Sequence, residues 1–273
     1  MENMRRRDFL RTSAAAASAL QAFAPLRGLS ATPSCVLTSE GEEGPYYVDA
    51  ARLRRDVTEG RAGVPLQLRI AVVDSKTCAP LENAAVDIWH CDAMGTYSGF
   101  TAQGSGGRGP GGRGRGPGGP RQLDSTRFLR GIQVSNKQGM VEFLSIYPGW
   151  YQGRTIHLHM KVHLGGAAGE ETWNGGHVAH TGQIYFPEDV TAEVAAMQPY
   201  AANSGVHRTL QSEDGIFRSQ HGSSGIVTLD RLQKGTNAGG FLALATLAID
   251  PNATPAPVGI GGGGGRGRGP RPF

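Results

Sequence analysis

The stretch "GWYQGRTIHLHMKV", residues Gly149–Val162, sets a tyrosine, an arginine and two histidines within nine positions, Tyr151 to His159. Read as a strand, it sends Ile156, Leu158, Met160 and Val162 to one face and His157, His159, Lys161 and His163 to the other. The apolar set then lies in a core. The two imidazoles stand side by side on the opposite face, where one strand offers two nitrogen ligands to one metal. No acidic residue stands near the pair in sequence, so the two-His-one-carboxylate set of ferrous oxygenases is not completed locally.

Outward from this strand the chain keeps a β rhythm. "RFLRGIQVSNKQGMVEFLSIYPG" reads as a hairpin with its turn at Asn136–Gly139, and "GVPLQLRIAVVDSKTCAPLENAAVDIWHCD" as two strands about a polar, proline-containing turn. In the latter, Leu66, Leu68, Ile70 and Val72 alternate with polar or small residues. "TGQIYFP", "GIVTLD" and "GFLALATLAID" supply further strands. "PEDVTAEVAAM" is a short helix, opened by a proline and acidic residues. Many short strands and little helix predict an all-β fold: a β-sandwich with a short helix and a long Gly/Arg-rich loop.

The chain has 273 residues and a net charge of +4. Residues 1–31 carry Arg6 and Arg7 before Asp8, Phe9 and Leu10, then a mildly apolar, alanine-rich run. That pattern is a twin-arginine-type export signal, too weakly apolar for a membrane span. Residues 103–122 and 256–273 are Gly/Arg-rich and cannot bury a core, so a flexible loop and a disordered tail are expected there. The sandwich domain is expected over 35–255. Most of the positive excess sits in the Gly/Arg segments and the N-terminus, so no nucleic-acid partner is expected. An exported chain permits a disulfide. Cys78 and Cys91 flank a strand and should stand some 20 Å apart at about 3.3 Å per residue, so any pair should involve Cys35.

Four stretches in order, "EGPYYVD", "VDIWHCDAMGTYSGF", "FLRGIQVSNKQGMVEFLSIYPGWYQGRTIHLHMKV" and "TGQIYF", resemble the successive motifs of the intradiol ring-cleavage dioxygenases. The chain looks more like the exported branch of that family, with a catalytic domain similar to protocatechuate and catechol dioxygenases. The resemblance runs from about Val36 to Pro187. It implies an Fe(III) centre held by Tyr97 (in "GTYSGF"), Tyr151 (after Pro148-Gly149), His157 and His159. It also implies that Arg154 stabilises negative charge on the substrate ring, that Gln183 positions the substrate, and that Tyr151 leaves the metal and acts as a base. The implied reaction opens a catechol-type ring between its two hydroxyls with O2, giving a muconate-type product. Phenolates are hard anionic donors that favour ferric iron, which agrees with this ligand set. Tyr147 competes with Tyr151, but the Pro-Gly turn puts Tyr151 at the family position. Tyr46 and Tyr47 either line the pocket or pack. His90, His163, His177 and His180 are expected at the surface or around the ligands. The alternative function is an exported sandwich that binds aromatic or plant-polymer fragments without turnover; a pure binder has no need of two tyrosinates.

Overall fold

The computed structural model describes residues 36–49, 52–101, 122 and 124–259. The expected export signal, Cys35 and nearly all of the Gly/Arg loop and tail lie outside them. Among these residues, eight strands form two four-stranded sheets. The first sheet orders β4 (Met140–Ile146), β1 (Pro65–Asp74), β8 (Phe241–Ile249) and β7 (Thr228–Arg231). The second orders β3 (Arg130–Val134), β2 (Ala85–Trp89), β5 (His157–Ala168) and β6 (Trp173–Tyr185). All neighbours are antiparallel except β1 and β8. Helix α1 (Glu188–Ala195) occupies the expected segment, and a second short helix, α2 (Gly215–Ser219), follows.

The alternation read from the sequence places the core. Leu66, Leu68, Ile70, Val72 and Phe143 of one sheet meet Val86, Ile88, Leu158, Met160 and Val162 of the other in one cluster. Burying a large apolar side chain contributes about 1.5–3 kcal/mol, so this interface fixes which face of β5 carries the histidines.

The expected hairpin over 127–149 does not form. The turn is present: the Gly139 amide donates to the Asn136 carbonyl at 2.8 Å, and the Met140 amide to Asn136 Oδ1 at 3.0 Å. Its two strands nevertheless belong to different sheets, β3 pairing with β2 and β4 with β1. The turn is a corner between layers. Both strands have an apolar face to bury, and in a sandwich the two inner faces look at each other across about 10 Å, so a short turn serves a sheet-to-sheet crossing as well as a hairpin.

Cys78 is disulfide-bonded and Cys91 is a buried free thiol. Cys78 and Cys91 are therefore not joined, as expected; Cys35 lies outside the described residues.

Candidate active site

The outer face of β5 is not open to water. His157 and His159 are almost fully buried, because side chains from the segments around 46–48 and 91–100 and from Tyr151 pack over that face of the sheet. Tyr46, Trp89, Cys91, Tyr97, Phe100 and Tyr151 form a second buried cluster there, with Tyr47 and Val48 packed against it. The strand register decides which side chains meet. His159 stands between Trp89 on β2 and Gln183 on β6, and His157 opposite Tyr185. Trp89 stacks on His159 with ring centroids 5.1 Å apart and planes 4° apart.

Tyr97 is delivered by a tight turn. Asp92 Oδ1 accepts from the amides of Met94 and Thr96, both at 3.0 Å. Past Tyr97, the buried Arg130 grips Ser98, donating to its Oγ at 2.7 Å and its carbonyl at 2.8 Å. Tyr151 arrives from the extended Pro148-Gly149-Trp150 segment that follows β4. A Cβ at Gly149 would run into the carbonyl oxygens of Asp92 and Ala93, so glycine lets this segment seat on the Tyr97 turn. Trp150 anchors it from the other side, its indole N–H donating to the Val206 carbonyl at 2.8 Å.

The four side chains implied as ligands converge. His157 Nε2 lies 3.0 Å from His159 Nε2, and the Tyr151 hydroxyl 3.1 Å from His157 Nε2. The Tyr97 ring sits 5.8 Å from that of Tyr151 and 6.4 Å from that of His159. The Tyr97 hydroxyl is buried beside Tyr151 without an aligned hydrogen bond. Tyr147 goes elsewhere. It lies in the inter-sheet core against Phe186, with its hydroxyl 2.7 Å from Thr191 Oγ1.

The residues fit a metal ion. Two imidazole nitrogens 3.0 Å apart match adjacent ligands at right angles on an ion with bonds of about 2.1 Å. His157 Nδ1 is 2.6 Å from the Thr155 carbonyl, which fixes Nδ1 as the protonated nitrogen and leaves the Nε2 lone pair for coordination. Burial, then the charge of Arg154, holds His157 well below the usual histidine range; His159 is lowered likewise by burial and by His157, so both are neutral donors. Burial pushes the Tyr151 phenol up, while Arg154 pulls it down. Burial also raises Tyr97. Both phenols keep their protons until something cationic replaces them. Among the described residues, no group of three or more His, Cys, Asp or Glu side chains could hold a metal. Half of the donor set here is phenol.

Arg154, named from the sequence, is buried beside this cluster at the centre of a polar network. Its Nε donates to Asp214 Oδ2 at 3.0 Å, Nη1 to Glu42 Oε1 at 3.0 Å and Nη2 to Gln183 Oε1 at 2.5 Å. Gln183 in turn donates to the Glu42 carbonyl at 3.0 Å and accepts from the Tyr185 hydroxyl at 2.7 Å. Arg154 and Gln183 thus act as one unit. No motif pointed to Glu42, Asp214 or Tyr185 in this role. The one readable sign was Asp214 as a helix cap, accepting from the amides of Ile216 and Phe217 at the start of α2. The remaining histidines stay outside the cluster, but not all at the surface. His90 is buried between Ser145 Oγ, 2.7 Å away, and the Cys91 carbonyl, and buried His180 faces Glu40.

No protein-family model and no curated protein matches the chain. Solved structures do. Two dioxygenase structures, one described as an intradiol ring-cleavage dioxygenase from Tetranychus urticae, match with a TM-score of 0.68 and 32% identity. Each match covers 81% of this chain and 98% of the other. The dioxygenase domain of a carbohydrate-binding fusion from Streptomyces sp. SirexAA-E shares the fold, with a TM-score of 0.50 and 22% identity over 78% of this chain and 98% of that one. Fold and likeness together define an oxidoreductase of the ring-cleaving dioxygenase class. The chain belongs to the intradiol ring-cleavage dioxygenase family.

Proposed function

We propose that the chain is a non-haem Fe(III) dioxygenase that opens catechol-type rings between their two hydroxyls with O2, giving muconate-type products. The observation that carries this reading is the convergence on His157 Nε2 of the Tyr151 hydroxyl, 3.1 Å away, and of His159 Nε2, 3.0 Å away, with the Tyr97 hydroxyl buried beside Tyr151. Tyr97, Tyr151, His157 and His159 would hold the iron, which supplies charge to make a bound catecholate reactive toward O2.

The protein's own residues do the rest. Tyr151 lies where its phenolate would have the Arg154 charge near it. A phenolate raised by burial is a strong base, suited to taking a catechol proton. Arg154 is fixed by two carboxylates and turns its remaining edge to Gln183 and Tyr185, so charge developing on the ring meets preorganised dipoles rather than mobile water. We further propose that the chain is exported through the twin-arginine-type signal of residues 1–31. No helix among the described residues is long and apolar enough to cross a membrane.

The test is incubation of iron-loaded protein with catechol under ¹⁸O2. Both labelled atoms should enter one ring-opened dicarboxylic product. A product cleaved outside the two hydroxyls, or oxygen uptake that ends in a quinone, would overturn the reading.

A further inference from the structure

Two buried arginines flank the candidate centre, and they are matched differently. Arg154 lies 3.0 Å from a carboxylate oxygen of Glu42 and 3.0 Å from one of Asp214. Arg130 is 2% exposed, yet among the described residues no carboxylate forms an ion pair with it. Its Nε and Nη2 are spent on the hydroxyl and carbonyl of Ser98, and its Nη1 is buried without a hydrogen-bond partner. Asp87, on the neighbouring strand, is raised to about 7 by burial, so it is no full anion at neutral pH. Burial pulls Arg130 down to about 10, with Tyr97 and then Asp87 opposing, so it stays a cation.

Strand register ties this cation to the centre. Arg130 pairs with Trp89, and Trp89 pairs with His159, so the three side chains form one row on one face of the sheet. Ser98, which Arg130 grips, directly follows Tyr97 in the chain. The Tyr97 hydroxyl, like Arg130 Nη1, is a buried polar atom without a partner. A buried cation is costly unless an anion matches it.

We infer that Arg130 is a positioning residue for Tyr97: it fixes the turn that presents the phenol and supplies the counter-charge for the phenolate of the iron-loaded protein. This rests on the ferric reading above. The two arginines then divide the work, Arg154 facing Gln183 and the Tyr151 side, Arg130 serving Tyr97 alone.

The experiment titrates the full chain with ferric iron against a competing chelator and records the visible spectrum. A phenolate stripped of its counter-charge is richer in electrons and gives them to iron at lower energy. Arg130→Met should therefore move the charge-transfer band to longer wavelength and bind iron at least about tenfold less tightly. Arg130→Lys keeps the charge and should restore the band position, with only part of the affinity. Ser98→Ala should weaken binding severalfold without moving the band. A band unmoved in Arg130→Met, or moved as far in Arg130→Lys and Ser98→Ala, would make Arg130 a loop tether only and overturn the inference, leaving the ferric reading standing. Should Arg130→Met not fold, double variants decide: Arg130→Lys should weaken iron binding in a Tyr151→Phe background and leave it unchanged in a Tyr97→Phe background, and equal weakening in both overturns the inference. A wild-type chain that shows no charge-transfer band removes the ferric reading and the inference with it.

Discussion

Replacing Asp214 by alanine should come near to unfolding the protein, although the residue touches none of the four implied ligands. Its carboxylate is almost fully buried and accepts four hydrogen bonds: Arg154 Nε at 3.0 Å, the Thr155 amide at 2.9 Å, and the Ile216 and Phe217 amides at 2.8 and 3.1 Å. Removing one partner of a buried ion pair costs about 3–5 kcal/mol, and losing a helix cap about 1 kcal/mol. The pair has a second carboxylate, Glu42, which keeps Arg154 partly matched and puts the ion-pair cost at the low end. A loss of about 4–5 kcal/mol is expected, against a total stability of roughly 5–15 kcal/mol for a domain. Urea unfolding with the slope held common to both proteins measures it. Asp214→Asn keeps one acceptor oxygen and should lose about half as much. The loss should also reach the metal: Thr155, held by Asp214, presents the carbonyl that orients His157. A loss below about 1 kcal/mol in the alanine variant, with iron affinity unchanged, would refute this account of the network.

Other expectations follow from the same geometry. Tyr151→Phe should lose most activity and change the colour of the iron-loaded protein, while Tyr147→Phe keeps both and loses only about 1 kcal/mol with its Thr191 hydrogen bond; equal effects in the two variants would refute the assignment. His157→Ala or His159→Ala should bind less than one iron per chain by metal analysis, and His163→Ala should bind a full equivalent, because only the first two meet at 3.0 Å. Burial pulls His90 down to about 4, so the unfolded chain takes its proton first as pH falls below about 6.5. Stability held by the neutral ring is complete above that pH and lost toward pH 4, by about 3 kcal/mol, and the deficit of His90→Gln relative to wild type should shrink over that range in urea titrations. Asp87 works in the opposite sense, since burial raises it to about 7, so its penalty on folding grows from about pH 4 and is complete above about pH 7. Asp87→Asn should therefore be more stable than wild type at pH 8 and lose that advantage by pH 4.5; a difference constant with pH would contradict the assignment.

The strands were legible because each buries one face, and period-two alternation is visible without a partner: Leu66 to Val72 and Ile156 to Val162 declare themselves. Strand pairing is less local. Asn136–Gly139 makes the same turn whether the flanking strands pair or part to different sheets, so the corner between β3 and β4 was read as a hairpin. The four residues implied as donors by the motif spacing do come together, and Tyr147 parts from Tyr151, since the fold sends it into the inter-sheet core. What stayed hidden were the partners of Arg154. Glu42 and Asp214 lie 112 and 60 residues away, and carboxylates in loops look alike until the fold buries them. The burial of the histidine face was hidden as well: a strand with polar residues on one side reads as half-exposed, and here loops from three parts of the chain cover it.

The central claim, one ferric ion held by two phenols and two imidazoles, is tested most directly by titrating the purified protein with ferric iron and recording its visible spectrum. The account predicts a red-to-purple charge-transfer band that saturates at one equivalent per chain and weakens in both Tyr97→Phe and Tyr151→Phe. A protein that binds iron without colour, or a band indifferent to both tyrosines, would contradict it.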